Sequence, residues 1–336
     1  MSGPAQANGP LVVGVDLGGT KIAAGLVESK GRVVARVERP TPVREGPGAV
    51  IERMLQAARE VCRAGGVDIA SVRAVCVAAP GPLDPARGVV VHAPNLAWRE
   101  VAVVGPMERA LGVPVFLEND ANAAALGEWW AGAGRGTAHF LYVTVSTGIG
   151  GGIVMGGRLY RGAHAAAGEI GHTVIVVEDG PLCGCGQRGC LEAMASGTAI
   201  ARRAVEALRR RAPELAGPGG ILWQLAGGQL ERIDARLVAE AARQGDGLAR
   251  EVLEVTWRYL GAGLVNLMNL FDPEAIAIGG GVSRMGEMMM EPLRRYVRAR
   301  AVAGPAEGTR LVTAQLGRDA GVVGAAAVAR ERLGLL

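Results

Sequence analysis

The sequence predicts an α/β protein of two domains, and three observations lead there. Apolar runs of strand length alternate with stretches of helical periodicity along the chain. The 336 residues are about twice a typical domain of roughly 150. A strand, a glycine turn and a second strand follow one another in each half. Hydrophobic residues make up 49% and charged residues 20%, enough for two buried cores. Aromatics are only 4%, so those cores rest mainly on Val, Leu, Ile and Ala.

Residues 11–16, LVVGVD, form an apolar run ending in a carboxylate, as a buried strand would. IAAGLV at 22–27 and RVVARVERP at 32–40 follow at hairpin spacing, which predicts an antiparallel three-strand meander. From Ala49 to Ala64, Val50, Ile51, Met54, Leu55, Ala58, Val61 and Cys62 recur at helical spacing. VRAVCVAAP at 72–80 reads as a buried strand stopped by Pro80-Gly81-Pro82. A short helix at 106–112 and a strand VPVFLEND at 113–120 come next, then a helix opening on ANAAALGEWW. The boundary between the domains is expected there, giving 9–119 for the first and 120–318 for the second.

The second half repeats the plan: strand 138–146, a glycine turn TGIGGG, and a strand resuming at IVM, 153–155. Helices are expected at 196–211, 234–245 and 247–270, and a buried strand EAIAIGG at 274–280. The segment 319–333 reads as a helix returning to the first domain.

The formal charge of +4 is small for this length, and lysine occurs only at Lys21 and Lys30. A nucleic-acid partner would call for a clustered basic face. The densest run, Arg202-Arg203 to Arg209-Arg210-Arg211, lies in a helical pattern and reads as a solvated helix face. MSGPAQANGP at the start has neither a basic nor an apolar leader region, and no apolar run reaches the ~18 residues of a membrane span. A cytoplasmic protein with neither nucleic-acid nor membrane partners is the expectation. Cys62 and Cys76 fall on apolar faces and read as buried structural thiols.

The two glycine turns carry the chemistry. The first places Asp16, Gly18, Gly19, Thr20 and Lys21 at its tip, the second Ser146, Thr147, Gly148, Gly150, Gly151 and Gly152. Glycines let backbone N–H groups approach an anion, threonine hydroxyls add donors, and a carboxylate at a strand end can hold Mg²⁺. No GxxxxGK[ST] string is present, and the glycines at 148–152 lead into strand rather than helix, which argues against a dinucleotide fingerprint. Ordinary turn chemistry remains the bland reading of either turn alone.

His172, Cys183, Cys185 and Cys190 supply one imidazole and three thiolates, the composition of a closed structural Zn²⁺ site, although H-x10-C-x-C-x4-C is tighter than a CxxC knuckle. A Cys183–Cys190 disulfide is the alternative, disfavoured in a reducing compartment.

DLGGTK at 16–21, ENDANAAALGE at 118–128, STGIGGG at 146–152, EIGH at 169–172, CGCGQRGCLE at 183–192 and IGGG at 278–281 together resemble the ROK family of bacterial sugar kinases and sugar-responsive repressors. The likeness runs from about Leu11 to the C-terminal helix, and the cysteine pattern matches. It implies the actin-like ATPase (ribonuclease H-like) fold, two lobes with a central cleft, and ATP with Mg²⁺ bound between them. By this resemblance Gly18, Gly19, Thr20 and Lys21 face the phosphates with Asp16 near Mg²⁺. Thr147 and Gly148 face them from the other lobe, and Gly280 and Gly281 lie by the adenosine. Asn119, Asp120, Glu169, His172 and Glu192 form the hexose site, with Gly81 and Asn95 as further contributors. A homo-oligomer is expected by family analogy.

Asp120 is the candidate catalytic base: a carboxylate bonded to a sugar hydroxyl aligns it and takes its proton. The competing role for Asn119-Asp120 is to cap the following helix. Glu169 and Glu192 suit vicinal hydroxyls, or are ordinary surface glutamates. The expected reaction is ATP-dependent phosphorylation of D-glucose, with fructose or N-acylhexosamines as alternative acceptors and polyphosphate as an alternative donor. A repressor of the same family is disfavoured, because the first strand begins by Leu11 and leaves no room for a winged helix before it.

Overall fold

The computed structural model describes residues 9–211, with the side chain of Arg211 excepted, and 220–336. Most of the leader reading falls on residues 1–8, which lie outside the described residues.

In chain order the first half contains β1 (Val12–Leu17), β2 (Lys21–Val27), β3 (Val33–Pro40), α1 (Pro47–Ala64), β4 (Val75–Ala79), β5 (Leu83–Asp84), β6 (Val89–Ala93), β7 (Trp98–Ala102), α2 (Val104–Leu111), β8 (Val115–Asn119) and α3 (Asp120–Ala131). There follow β9 (Phe140–Val145), β10 (Ile149–Met155), β11 (Arg158–Leu159), α4 (Leu191–Ala195), α5 (Gly197–Arg211), α6 (Ile221–Leu225), α7 (Ala235–Arg243) and α8 (Gly247–Phe271). The chain closes with β12 (Ala275–Gly279), α9 (Glu287–Arg300), α10 (Ala303–Gly308), β13 (Arg310–Thr313) and α11 (Ala320–Arg332).

One five-stranded sheet has the order β3-β2-β1-β4-β8 and another β11-β10-β9-β12-β13. The same topology therefore occurs twice. In the first sheet, β1–β2 and β2–β3 are antiparallel, as the hairpin spacing predicts, while β1–β4 and β4–β8 are parallel. In the second, β9–β12 and β12–β13 are parallel. The three-stranded sheet β5-β6-β7 was not foreseen, and neither were α9 and β13.

The second turn is shorter than expected. It comprises Ser146–Gly148, closed by the Ser146 N–H donating to the Gly148 carbonyl at 2.8 Å, and Gly150, Gly151 and Gly152 belong to β10. Gly151 and Gly152 admit neighbours rather than turn the chain. A Cβ on Gly151 would lie 2.3 Å from the Ile170 side chain, and one on Gly152 2.5 Å from Ala125. The helix expected from 196 begins at Gly197, because Ser196 is extended and separates it from α4. Within α5, Arg202 and Arg203 are half-buried rather than solvated, donating to the Ala193 and Met194 carbonyls at 2.6 and 2.8 Å.

Contacts group the chain into two compact units. Among the described residues, the first holds 9–138, 152–168 and 314–336, and the second 139–151, 169–211 and 220–313. This division differs from the expected boundary at 119/120. The helix α3 joins the first unit because it packs on α11, which also covers β1, β4 and β2.

That packing requires missing side chains. A Cβ on Gly324 of α11 would lie 2.2 Å from the Ala123 carbonyl oxygen, and one on Gly14 of β1 would lie 1.9 Å from that of Val322. Val322 to Arg330 are all buried, so α11 is enclosed all round, as an apolar helix must be. Glu128 of α3 is fully buried, and its carboxylate accepts from the N–H groups of Ala133, Gln315 and Leu316 at 2.9, 3.0 and 2.7 Å. Such a carboxylate is stable only because these donors replace water. Cys62 and Cys76 are buried, and burial pushes the Cys62 thiol up to about 12. Among the described residues no helix is long and apolar enough to cross a membrane.

Gly324→Ala has no room to relax, since the obstacle is backbone. It is expected to destabilise the first unit by about 1–3 kcal/mol, read from chemical denaturation. Unchanged stability would show that α11 and α3 are free to separate.

Candidate active site

In the first unit the strand ends and helix starts converge on a small set of the predicted residues. β8 ends at Asn119, whose Oδ1 accepts from the N–H groups of Ala121 and Asn122 at 2.9 and 3.1 Å, so this residue does cap α3. The cap fixes the direction in which the exposed Asp120 leaves the strand. Gly81 adjoins this corner: a Cβ there would lie 3.5 Å from Asn119 Nδ2.

The first glycine turn is closed by the Gly18 N–H donating to the Lys21 carbonyl at 3.0 Å. It is braced from outside by Thr41, whose Oγ1 donates to the Gly18 carbonyl at 2.7 Å. Asn95 lies against the turn, with its carbonyl 2.8 Å from where a Gly19 Cβ would sit. Asp16 lies behind the turn, its carboxylate 2.4 Å from the position of a Gly321 Cβ at the start of α11. Burial raises its pKa above the ordinary carboxylate value, against the opposing pull of Lys21 and Arg36. Lys21 has a partner of its own, Glu38, at 2.8 Å. Hydrogen bonds from Lys21 and then Arg36 hold the Glu38 carboxyl down at about 2.

In the second unit the start of α5 closes on the turn after β9. The Gly197 N–H donates to the Ser146 carbonyl at 2.7 Å and Thr198 Oγ1 to that of Thr147 at 2.8 Å. A cavity of about 500 Å³ opens beside these residues, lined among others by Ser146, Thr147, Thr198, Asp234, Gly281 and Arg284. Gly280 has φ +86°, and a Cβ there would meet the Val145 carbonyl oxygen at 2.3 Å. Only glycine allows β12 to turn at that point. Thr198, Asp234 and Arg284 were missed in the sequence; the helix-opening Ser-Gly-Thr at 196–198 was the available signal for the first. A larger cavity, about 720 Å³, is lined by Arg243, Trp257, Tyr296 and neighbours. No predicted site residue lines it, so the smaller cavity is the better candidate.

Glu192 is neither a free surface glutamate nor open to solvent on all sides. Its Oε2 accepts from the Ile149 N–H at 2.9 Å, where a Gly148 Cβ would intrude at 2.3 Å. Its Oε1 lies 3.5 Å from Cys183 Sγ. Glu169 is exposed, with Oε2 3.8 Å from His172 Nε2.

His172, Cys183, Cys185 and Cys190 have ligand atoms all within 4.8 Å of one another. Cys185 Sγ lies 3.7 Å from Cys190 Sγ, and Cys183 Sγ 3.6 Å from His172 Nδ1. Tetrahedral Zn²⁺ with Zn–S of about 2.3 Å needs S···S edges of about 3.8 Å, so this cluster has the donors and the size for that ion. All five cysteines are free thiols, with no disulfide between Cys183 and Cys190. His172 turns Nδ1 to the cysteine cluster and Nε2 to Glu169, so one imidazole faces both the candidate metal ligands and a predicted sugar ligand.

Glu118 and Arg161 were not singled out in the sequence. Glu118 is buried directly before the Asn119 cap, with Arg161 Nε donating to its Oε2 at 2.6 Å. A separation of 43 in sequence leaves no local pattern to read.

A model of the ROK family matches residues 12–332. The chain is 40% identical over 322 residues to a glucokinase of Streptomyces coelicolor, covering 96% of this chain and 98% of that one. It is similar to the crystal structure of a ROK family glucokinase from Streptomyces griseus in complex with glucose and AMPPNP. That match has a TM-score of 0.79 and 41% identity, over 96% of this chain and 99% of that one. The ROK hexokinase of Thermus thermophilus matches with a TM-score of 0.80 and 40% identity, over the same shares. The repeated sheet order, the paired glycine turns and these likenesses agree: the fold is the actin-like ATPase fold, and the chain belongs to the ROK family.

Proposed function

We propose that this chain transfers the γ-phosphoryl group of ATP to the 6-hydroxyl of D-glucose. The observation that carries the reading is the cavity beside Ser146 and Thr147, enclosed by the start of α5 and the Gly280-Gly281 turn. Its size and its turn of backbone amides suit a nucleoside with phosphates at one end. Support comes from the 36–41% identity, over nearly the whole chain, to proteins named glucokinase.

In this reading Thr147 and Gly148 bind phosphate oxygens from the second unit, and Gly18, Gly19 and Thr20 from the first. Lys21 adds charge near them while tethered to Glu38. Asp16 would hold Mg²⁺, and its enclosed, incompletely neutralised carboxylate fits a hard dication. The ion, when bound, neutralises charge on the phosphates. Asn119, Glu169, His172 and Glu192 take the sugar hydroxyls, with Gly81 and Asn95 beside the first unit's contributors. Asp120 accepts the proton of the attacking hydroxyl as the new P–O bond forms. The loose transition state asks little more of the protein than position and charge.

Zn²⁺ in the Cys3His cluster would be structural, since four protein ligands fill a tetrahedral shell. It would brace the loop from which Glu192 and Cys183 project, and His172 would carry that bracing to the sugar.

A coupled assay of glucose-6-phosphate formation tests the reading, run beside mannose, fructose, N-acetylglucosamine and N-acetylmannosamine. Glucose is expected to give the highest kcat/KM; no turnover with any hexose and ATP would overturn the assignment. Asp120→Ala should lower kcat by about 10²–10⁴-fold. Retention of near-normal kcat would move the base elsewhere. Cys185→Ser, or chelation, should release one Zn²⁺ per chain by metal analysis and raise KM for glucose or unfold the second unit. A zinc-free protein with unchanged KM would refute the bracing role.

A further inference from the structure

We infer that Arg161 and Glu118 form a positioning pair that holds the catalytic Asp120 in its working orientation; the inference rests on the kinase reading. Glu118 is the residue before the α3 cap and is 2% exposed. Its Oε1 accepts from the Asn119 N–H at 3.1 Å and from Asn122 Nδ2 at 3.3 Å. These two donors lie on either side of Asp120 in the chain, so one buried carboxylate grips the corner before and after the base. Its other oxygen, Oε2, accepts from Arg161 Nε at 2.6 Å.

Arg161 is itself held at a second point. Its Nη2 donates to Glu331 Oε2 of α11 at 2.5 Å, and Glu331 Oε1 accepts from the Leu159 N–H at 3.2 Å. The guanidinium fork thus spans two carboxylates, each of which is also fixed to backbone. A planar fork can do this; a lysine ammonium, a single point of charge, cannot reproduce both contacts in the same directions. The Arg161 carbonyl accepts from the Ala167 N–H at 3.1 Å, which closes the loop that runs on to Glu169, eight positions later. The Arg258–Glu254 pair of α8, by contrast, is exposed at both side chains and lies far in sequence from the predicted site residues. The Arg161–Glu118 pair is enclosed and adjoins the base.

A general base that is misplaced by about 1 Å loses rate more than affinity, because alignment matters most in the transition state. Arg161→Lys and Glu118→Gln should therefore lower kcat by about 10–100-fold while KM for ATP stays within about threefold. Asp246→Asn serves as a control: this buried carboxylate caps α8 and binds the Leu222 N–H away from the Asn119-Asp120 corner, so its loss should lower thermal stability with kcat retained. The decisive measurement is a double-mutant cycle with Asp120→Asn. If Arg161 acts through Asp120, Arg161→Lys should add no further loss of kcat on the Asp120→Asn background. Additive losses, a change confined to KM, or full kcat in Arg161→Lys would each overturn the inference. Should Glu118→Gln fail to fold, Arg161→Lys alone decides, since it retains a positive charge beside Glu118. Wild-type protein without hexose kinase activity would instead sink the kinase reading.

Discussion

The first unit is organised by one steric constraint: α11 lies so close to β1 and α3 that no Cβ fits at the contact. Gly14, Gly127 and Gly324 meet backbone at 1.9–2.8 Å if given a side chain. This closeness sets the start of α11 against Asp16 and aligns α3 behind the Asn119-Asp120 corner. Glu128 fixes the same junction chemically, since its carboxylate takes the N–H groups where the chain enters the α11 region. Removing water from that carboxylate costs several kcal/mol without its three donors, so the junction has one low-energy arrangement. The polar pair Glu118–Arg161 then extends the alignment to the Asn119-Asp120 corner.

In the second unit the equivalent control is polar rather than steric. Glu192 touches both the turn after β9 and the cysteine loop, through the Ile149 N–H and Cys183. A residue read from sequence as a sugar ligand or an ordinary surface glutamate thus joins the turn after β9 to the cysteine loop. The turn's own carbonyls are occupied by Gly197 and Thr198, which leaves its shape defined before any ligand arrives. Preorganisation of this kind is what charge stabilisation in phosphoryl transfer requires.

Much of the fold was legible because strand runs and glycine turns are local signals. The meander β1–β3 follows from apolar runs separated by turns at hairpin spacing, and the helix expected over 49–64 from helical spacing, two residues short of its observed start at Pro47. The short strands of β5-β6-β7 have neither length nor alternation to betray them, and Pro292 within α9 masks that helix. Glycines misled at Gly150–Gly152, which lie in β10, and at Gly151 and Gly152 close approach of neighbours, not chain reversal, requires them. The Cys3His cluster was legible from residue types. The Arg161–Glu118 pair was not, because its partners come from separated segments and only tertiary packing joins them.

The distance in sequence between β1 and its cover has a bearing on biosynthesis. β1 ends at Leu17, whereas α11 begins at Ala320. At ~5–20 residues per second, roughly 15–60 s of translation separate the two. Throughout that interval the face of the first sheet around Gly14 lacks its lid and presents Val and Ala to the surroundings. The first sheet therefore completes its packing only after α11 has been synthesised.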